Sequence, residues 1–341
     1  MNIVIVTDAW SPQVNGVVRT LQSVTREIEA MGHRVTVFSP DMFRSIPCPT
    51  YPEIRLALMS ADRIGRMIAD AHPDAVHIAT EGPLGYAARR WCKMRGVPFT
   101  TAYHTQFPDY VARRTPLRAE WVWPVIRRFH ASAQTVMVAT ETVRRTLAEN
   151  GIHHVSHWGR GVDLDAFTPD APPPALYASL QGPIQLYVGR IAVEKNIEAF
   201  LECRHPGSKV IVGDGPARDE LAARYPEAHF LGPLSGEALA GAYAGADVFV
   251  FPSRTDTFGL VMIEAMACGT PVAAYPVTGP IDVLTEGVGA MDDDLDRAIA
   301  GALACDRLSC LAYASQFTWE RSARQFLDNL AVVRAPLPQA A

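Results

Sequence analysis

The sequence predicts an α/β protein built from two parallel-sheet domains, and three observations carry that reading. The chain has 341 residues, long for one core and suited to two. Hydrophobic residues make up 48% of it, enough for two packed interiors and too many for a disordered chain. Short apolar runs alternate with amphipathic stretches in both halves, the pattern of parallel strands joined by crossover helices.

The elements follow in order. Met1-Asn-Ile-Val-Ile-Val6 reads as a buried strand (2–7), and an amphipathic helix follows over 17–31. Apolar runs at 35–39, 75–79, 97–102 and 135–139 read as further strands. Helices are expected at 60–71, 83–95, 117–132 and 141–150. Pro169-Asp-Ala-Pro-Pro-Pro-Ala175 breaks both patterns and reads as a linker, 169–183, closing a first domain of 1–168. The second domain, 184–318, repeats the alternation. Its strands are expected at 184–188, 208–212, 228–231, 247–251 and 271–274. Its helices are expected near 194–204, 216–224, 235–244, 258–268 and 294–304. A last helix is expected near 319–333, and Pro336–Ala341 should fray.

Composition narrows the function classes. No run approaches 18 apolar residues, and the amino terminus lacks the basic flank and cleavage site of a signal peptide. Six cysteines at 48, 92, 203, 268, 305 and 310 show no metal or disulfide spacing and read as reduced thiols of a cytoplasmic protein. The net charge of −5 hides an asymmetry. Residues 1–160 carry 19 basic and 13 acidic side chains; residues 161–341 carry 12 and 23. Residues 82–130 hold nine basic and two acidic residues with Trp91, Trp121 and Trp123 interleaved. Such a segment fits an anionic membrane surface, while nothing resembles a nucleic-acid recognition module.

The chemistry gathers in two stretches. Val188-Gly-Arg-Ile-Ala-Val-Glu-Lys195 follows an apolar strand and sets two cations, Arg190 and Lys195, five positions apart. Phe251-Pro-Ser-Arg-Thr-Asp-Thr-Phe-Gly-Leu-Val-Met-Ile-Glu264 follows another strand and opens a helix. A helix start near Phe258 leaves the amides of Gly259, Leu260 and Val261 without intrahelical partners, a site suited to phosphate. Arg190 and Lys195 can neutralise a diphosphate there. Asp256 and Glu264 could then accept sugar and ribose hydroxyls, with an N-cap as the alternative or additional role of Asp256. Asn15-Gly16-Val17 lies between the first strand and first helix, where Gly16 permits close backbone approach. Val212-Gly213-Asp-Gly-Pro216 is a second glycine turn, with Arg218 where a dinucleotide fingerprint needs glycine. Asp292-Asp-Asp294 precedes a helix and reads as an exposed acidic cap, not a metal site.

At these residues the chain resembles the retaining family-4 glycosyltransferases of the GT-B fold. The Arg-to-Lys spacing, the acidic pair Asp256 and Glu264 (the commoner first residue is Glu), the stretch Thr7–Val18 and Tyr103-His104-Thr105 carry the resemblance, over nearly the whole chain. Thr255–Val261 with Glu264–Pro271 resembles the subgroup of lipid glucosyl-, glucuronosyl- and mannosyltransferases. The resemblance implies two Rossmann-like domains facing a cleft, with the last helix (319–335) crossing back to the first. It implies a nucleotide diphosphate-sugar in the second domain, a lipid acceptor in the first, His104 beside the donor sugar, and no cofactor or metal. UDP-glucose or UDP-glucuronate is the first donor expected and diacylglycerol the first acceptor. A GDP-mannose-dependent mannosyltransferase shares every motif. A nucleotide-sugar epimerase or a non-catalytic sugar-nucleotide-binding module are more distant alternatives.

Overall fold

A computed structural model describes residues 1–13, 15–48, 51–106, 108 and 118–334. The chain divides into two compact units. The first runs over Met1–Arg160 and takes in the C-terminal segment from Trp319; the second is Gly161–Thr318.

The first unit contains a parallel sheet of β1 (Asn2–Val6), β2 (Arg34–Phe38), β5 (Ala75–Ile78), β6 (Thr100–Ala102), β7 (Val136–Val138) and β8 (Val155–His157). Their order is β2-β1-β5-β6-β7-β8. A short antiparallel hairpin, β3 (Ser45–Cys48) and β4 (Tyr51–Ala57), is an addition that the apolar alternation did not announce. Val4, Val6, Val76 and Ile78 of the central strands pack with Ile64, Ile68 and Trp91 of the covering helices. Helix Trp319–Asp328 seals the far end. Trp158 is fully buried and donates from Nε1 to Ser322 Oγ at 3.1 Å. Gln325 Oε1 accepts from the Gly159 amide at 2.8 Å.

The second unit holds β9 (Ile184–Val188), β10 (Ser208–Val212), β11 (His229–Gly232), β12 (Val248–Phe251), β13 (Val272–Ala274) and β14 (Gly289–Met291). The order β11-β10-β9-β12-β13-β14 is the 3-2-1-4-5-6 arrangement of a Rossmann sheet. Strands this short and fully buried, such as β9 and β12, need apolar runs on both faces, which is why they were readable in the sequence.

Two expectations change. The proline segment, expected as a linker, falls within the second unit, which begins at Gly161. Its residues pack on helix Gly236–Ala244: Tyr177 is buried and its hydroxyl donates to the Ala242 carbonyl at 3.0 Å. A Cβ on Gly241 would run into the Pro172 carbonyl. The basic segment 82–130 is also less of a surface than its composition implies. Trp91 lies in the core and Arg89 is buried, donating to the Phe129 carbonyl at 2.6 Å and to the Arg128 carbonyl. Trp123 stacks on buried Tyr103. Trp121, Val125, Arg127 and Arg128 of helix Ala119–His130 remain exposed. Arg113, Arg114 and Pro336–Ala341 lie outside the described residues.

Candidate active site

In an open parallel sheet, ligands bind beyond the carboxyl ends of the strands, where the strand order reverses. In the second unit that point lies between β9 and β12. The segments leaving these two strands are the two stretches singled out in the sequence.

They dock on each other through polar contacts. Asn196 Nδ2 donates to the Pro252 carbonyl at 3.0 Å, and Thr255 Oγ1 donates to the Glu194 carbonyl at 3.5 Å. Lys195 Nζ grips both oxygens of Asp256, at 2.7 and 2.9 Å. The expected single helix over 194–204 is instead a 3-10 turn, Val193–Lys195, and a short helix, Ile197–Leu201. They are divided by Asn196 in the left-handed conformation (φ 54°), which asparagine tolerates better than most residues. That break lets Asn196 and Lys195 reach the second stretch. Asp256 is therefore not an N-cap. It is the partner of Lys195, and the pair is four-fifths buried.

The helix begins at Leu260, not near Phe258, and runs to Ala267. Gly259 is its N-cap, with φ 85°, a conformation that glycine reaches without strain. The cap has no side-chain acceptor, and Gly259, Leu260 and Val261 are each partly exposed, at the turn where a helix leaves its first amides without intrahelical acceptors. Phe258 is buried and packs edge-on against Phe317, anchoring the loop. Glu264 is 3% exposed, among fully buried Met262, Ile263, Ala265 and Met266, and its Oε2 accepts from the Tyr243 hydroxyl at 3.1 Å. A carboxylate held there by a hydroxyl can act as a fixed acceptor.

Arg190 leaves β9 beside Gly189, and its carbonyl accepts from the Tyr187 hydroxyl at 2.8 Å. Gly213 stacks on the same turn: its φ is 135° and a Cβ would strike the Gly189 carbonyl. Gly215 stands likewise over Ile191. The glycine turn thus fixes the backbone that carries Arg190. Asp292 pairs with Arg297 at 2.7 Å, and Asp294 caps helix Leu295–Leu303 through the Asp296 amide.

In the first unit the reversal lies between β1 and β5. Asp8, just beyond β1, accepts from the amides of Leu84 and Gly85 at 2.8 and 3.1 Å and from Thr80 Oγ1 at 3.0 Å. It caps helix Pro83–Arg95 in place of Gly82. Burial raises the Asp8 carboxyl above its ordinary range, against the pull of these bonds. Asn15 caps helix Gly16–Ala30. Its Oδ1 accepts from the Val17 and Val18 amides, both at 3.0 Å, so those amides serve the cap. Gly16 stays exposed at the helix start.

His104 follows β6. Its Nδ1 lies 3.2 Å from Arg160 Nη2, and its ring meets Trp158 edge-on at 5.4 Å. Burial, the Arg160 charge and His77 together hold His104 well below an ordinary histidine. His77 is fully buried, bonds Thr100 Oγ1 at 2.9 Å, and is lowered by burial to about 3. Both imidazoles are therefore neutral at pH 7. A second buried histidine chain was equally invisible in the sequence: Thr101 Oγ1 bonds His130 Nδ1 at 2.8 Å, and His130 Nε2 bonds Glu81 at 3.2 Å, beside the β1–β5 reversal.

The neutral pair gives a stability prediction. Unfolding frees both histidines to about 6.5, so the unfolded chain binds more protons below that pH. This contribution is complete well above pH 6.5 and is lost progressively as pH falls through it. His77 alone implies a loss of ~1 kcal/mol between pH 6 and pH 5, and His104 adds in the same direction. Urea denaturation of the full chain, followed at pH 7, 6 and 5, checks this; a flat profile would contradict it.

Comparison with known proteins decides the family. The model for Glycosyltransferase Family 4 matches residues 14–166, and that for Glycosyl transferases group 1 matches 182–305. A GDP-mannose-dependent alpha-mannosyltransferase of Mycolicibacterium smegmatis is 34% identical over 310 residues, spanning 83% of this chain and 82% of its own. The chain belongs to glycosyltransferase family 4. The family-4 enzyme is also similar to an alpha-monoglucosyldiacylglycerol synthase of Streptococcus pneumoniae, with 26% identity over 81% of this chain and 71% of that one. Among solved structures, sucrose-phosphate synthase from Thermosynechococcus elongatus has the same fold, with a TM-score of 0.76 and 23% identity over 96% of this chain and 97% of that one. Two Rossmann-like parallel sheets in one chain are the GT-B architecture. Arg160, buried against His104, was not singled out in the sequence of this glycosyltransferase. A lone arginine between two glycines, after a three-residue strand, gave only the signal Gly-Arg-Gly.

Proposed function

We propose that this glycosyltransferase moves a hexose, with mannose from GDP-mannose as the leading donor, to a hydroxyl of a membrane lipid, retaining the anomeric configuration. The observation that carries the reading is the convergence at the β9–β12 reversal of the Lys195–Asp256 pair, the first-turn amides of Gly259, Leu260 and Val261, and buried Glu264. The amides, Arg190 and Lys195 would bind the diphosphate. Glu264, fixed by Tyr243, would accept the ribose hydroxyls. Asp256 would hold Lys195 and meet the sugar, and His104 would donate to the sugar. The departing phosphate oxygen takes the acceptor proton, so the protein's part is positioning and charge stabilisation. No metal is required in this scheme.

The 34% identical mannosyltransferase supports mannose over the UDP-sugars that the sequence ranked first. UDP-glucose stays as the second reading because of the likeness to the glucosyldiacylglycerol synthase, which also supports a lipid acceptor. A thermal-shift panel of GDP-mannose, UDP-glucose, UDP-glucuronate and ADP-glucose in EDTA tests both donor and metal. At 100 times its dissociation constant the right donor adds ~2.7 kcal/mol of stability. A shift from UDP-sugars alone would replace mannose, no shift from any donor would overturn the nucleotide-sugar reading, and a shift that needs Mg²⁺ or Mn²⁺ would overturn metal independence.

No helix among the described residues is long and apolar enough to cross a membrane. Lipid contact would come from the exposed face of helix Ala119–His130, where Trp121, Val125 and Arg128 share one side. Each arginine at an anionic surface contributes ~1 kcal/mol. Replacing Trp121 by Ser with Arg127 and Arg128 by Gln should weaken binding to anionic vesicles and leave donor affinity unchanged. Equal binding of wild type to neutral and anionic vesicles would remove this surface from the scheme.

A further inference from the structure

We infer that Arg160 is a positioning residue for the transfer reaction, fixing His104 as the tautomer that carries its proton on Nε2. The role in transfer rests on the proposed meeting of His104 with the donor sugar; the tautomer does not.

A guanidinium has five N–H donors and no acceptor. His104 Nδ1, 3.2 Å from Arg160 Nη2, must therefore accept, and the ring proton goes to Nε2. Arg160 itself is immobilised. It is 6% exposed, and Nη1 donates to the carbonyls of Trp158 at 2.6 Å and Gly159 at 3.1 Å. Its guanidinium carbon lies 4.7 Å from the Trp158 ring centroid. The loop beneath is tied to helix Trp319–Asp328, because Ser322 Oγ donates to the Gly159 carbonyl at 2.8 Å. The C-terminal segment thus sets the Arg160 loop, and that loop sets His104.

The cation has no carboxylate partner among the described residues; its contacts are two carbonyls, an indole face and an imidazole. Leaving a buried charge uncompensated is costly for a fold. Burial pulls Arg160 down to about 9, which keeps it charged at neutral pH. The charge acts on His104 through Nδ1. It polarises the imidazole and makes its Nε2–H a stronger donor to an oxygen that gains negative charge. His77 also acts on His104, and it is neutral.

The test is nitrogen NMR of the full chain with 15N-labelled histidine, alongside steady-state kinetics on the donor established by the panel above. Wild type should show His104 neutral at pH 7 with the proton on Nε2. Arg160→Gln keeps a donor without the charge: the tautomer should persist while kcat falls ~10-fold and the donor KM stays within ~2-fold. Arg160→Met removes both, so the tautomers should mix and kcat should fall ~100-fold. A wild-type His104 carrying its proton on Nδ1, or charged, overturns the inference without needing any variant to fold. So does an unchanged His104 spectrum in folded Arg160→Met. Mixed tautomers with unchanged kcat would instead overturn the placement of His104 at the sugar.

Discussion

Lys195→Met and Asp256→Asn are each expected to lower kcat/KM by ~100-fold or more, and the double variant by little more than the worse single one. The two side chains form a bidentate pair, at 2.7 and 2.9 Å, that is four-fifths buried. Removing either leaves a charge in a poorly solvated place without the partner that aims it. If Lys195 stabilises the departing diphosphate, its loss acts on the transition state and appears in kcat. Asp256→Asn releases the ammonium from its aim, so part of its effect is the same effect. Residues acting as a unit are non-additive in this way. The measurement is a double-mutant cycle on kcat/KM. Fully additive losses would mean that the two residues act separately on phosphate and sugar, as the sequence alone would have it.

Glu264→Gln should weaken binding of the nucleoside diphosphate itself, by roughly 10- to 100-fold, the cost of one hydrogen bond to a charged group. Glu264 is 3% exposed and bonded to Tyr243, so its carboxylate is fixed before any ligand arrives. Tyr243→Phe should show a smaller loss in the same direction. Asp256→Asn should lose less affinity for the free nucleoside diphosphate than Glu264→Gln, because its proposed direct contact is the sugar and it reaches the diphosphate only through Lys195. Calorimetric titration with GDP separates the three variants. Equal losses at Glu264 and Asp256 would end the division of roles.

Much of this site was legible because its parts are local. Arg190 with Lys195, and Asp256 with the glycine-led helix, each lie within one strand-to-helix passage, and buried strands such as Ile184–Val188 advertise where the passages begin. What was not legible depends on contacts far apart in sequence. Lys195 and Asp256 are 61 positions apart, and only the adjacency of β9 and β12 makes them a pair. Arg160 reaches His104 across 56 positions from a strand of three residues, Val155–His157, too short and polar to read as a run. Arg89 and Trp91 looked like surface because a basic composition says nothing of direction. The fold turns both inward and leaves Trp121 out. The proline segment looked like a linker for a similar reason: proline marks a break in pattern, and packing on Gly241 and Gly245 is a tertiary fact.

The most direct test of retaining hexosyl transfer is the configuration of the sugar as it leaves the nucleotide. Proton NMR can follow the anomeric signal during the first minutes of turnover of an α-linked nucleotide sugar, GDP-mannose first, with membrane lipid as acceptor. The account predicts α-linked product, with release of one nucleoside diphosphate per sugar, and loss of both in Lys195→Met. A β-linked first product, or sugar-nucleotide turnover that survives in Lys195→Met, would contradict it.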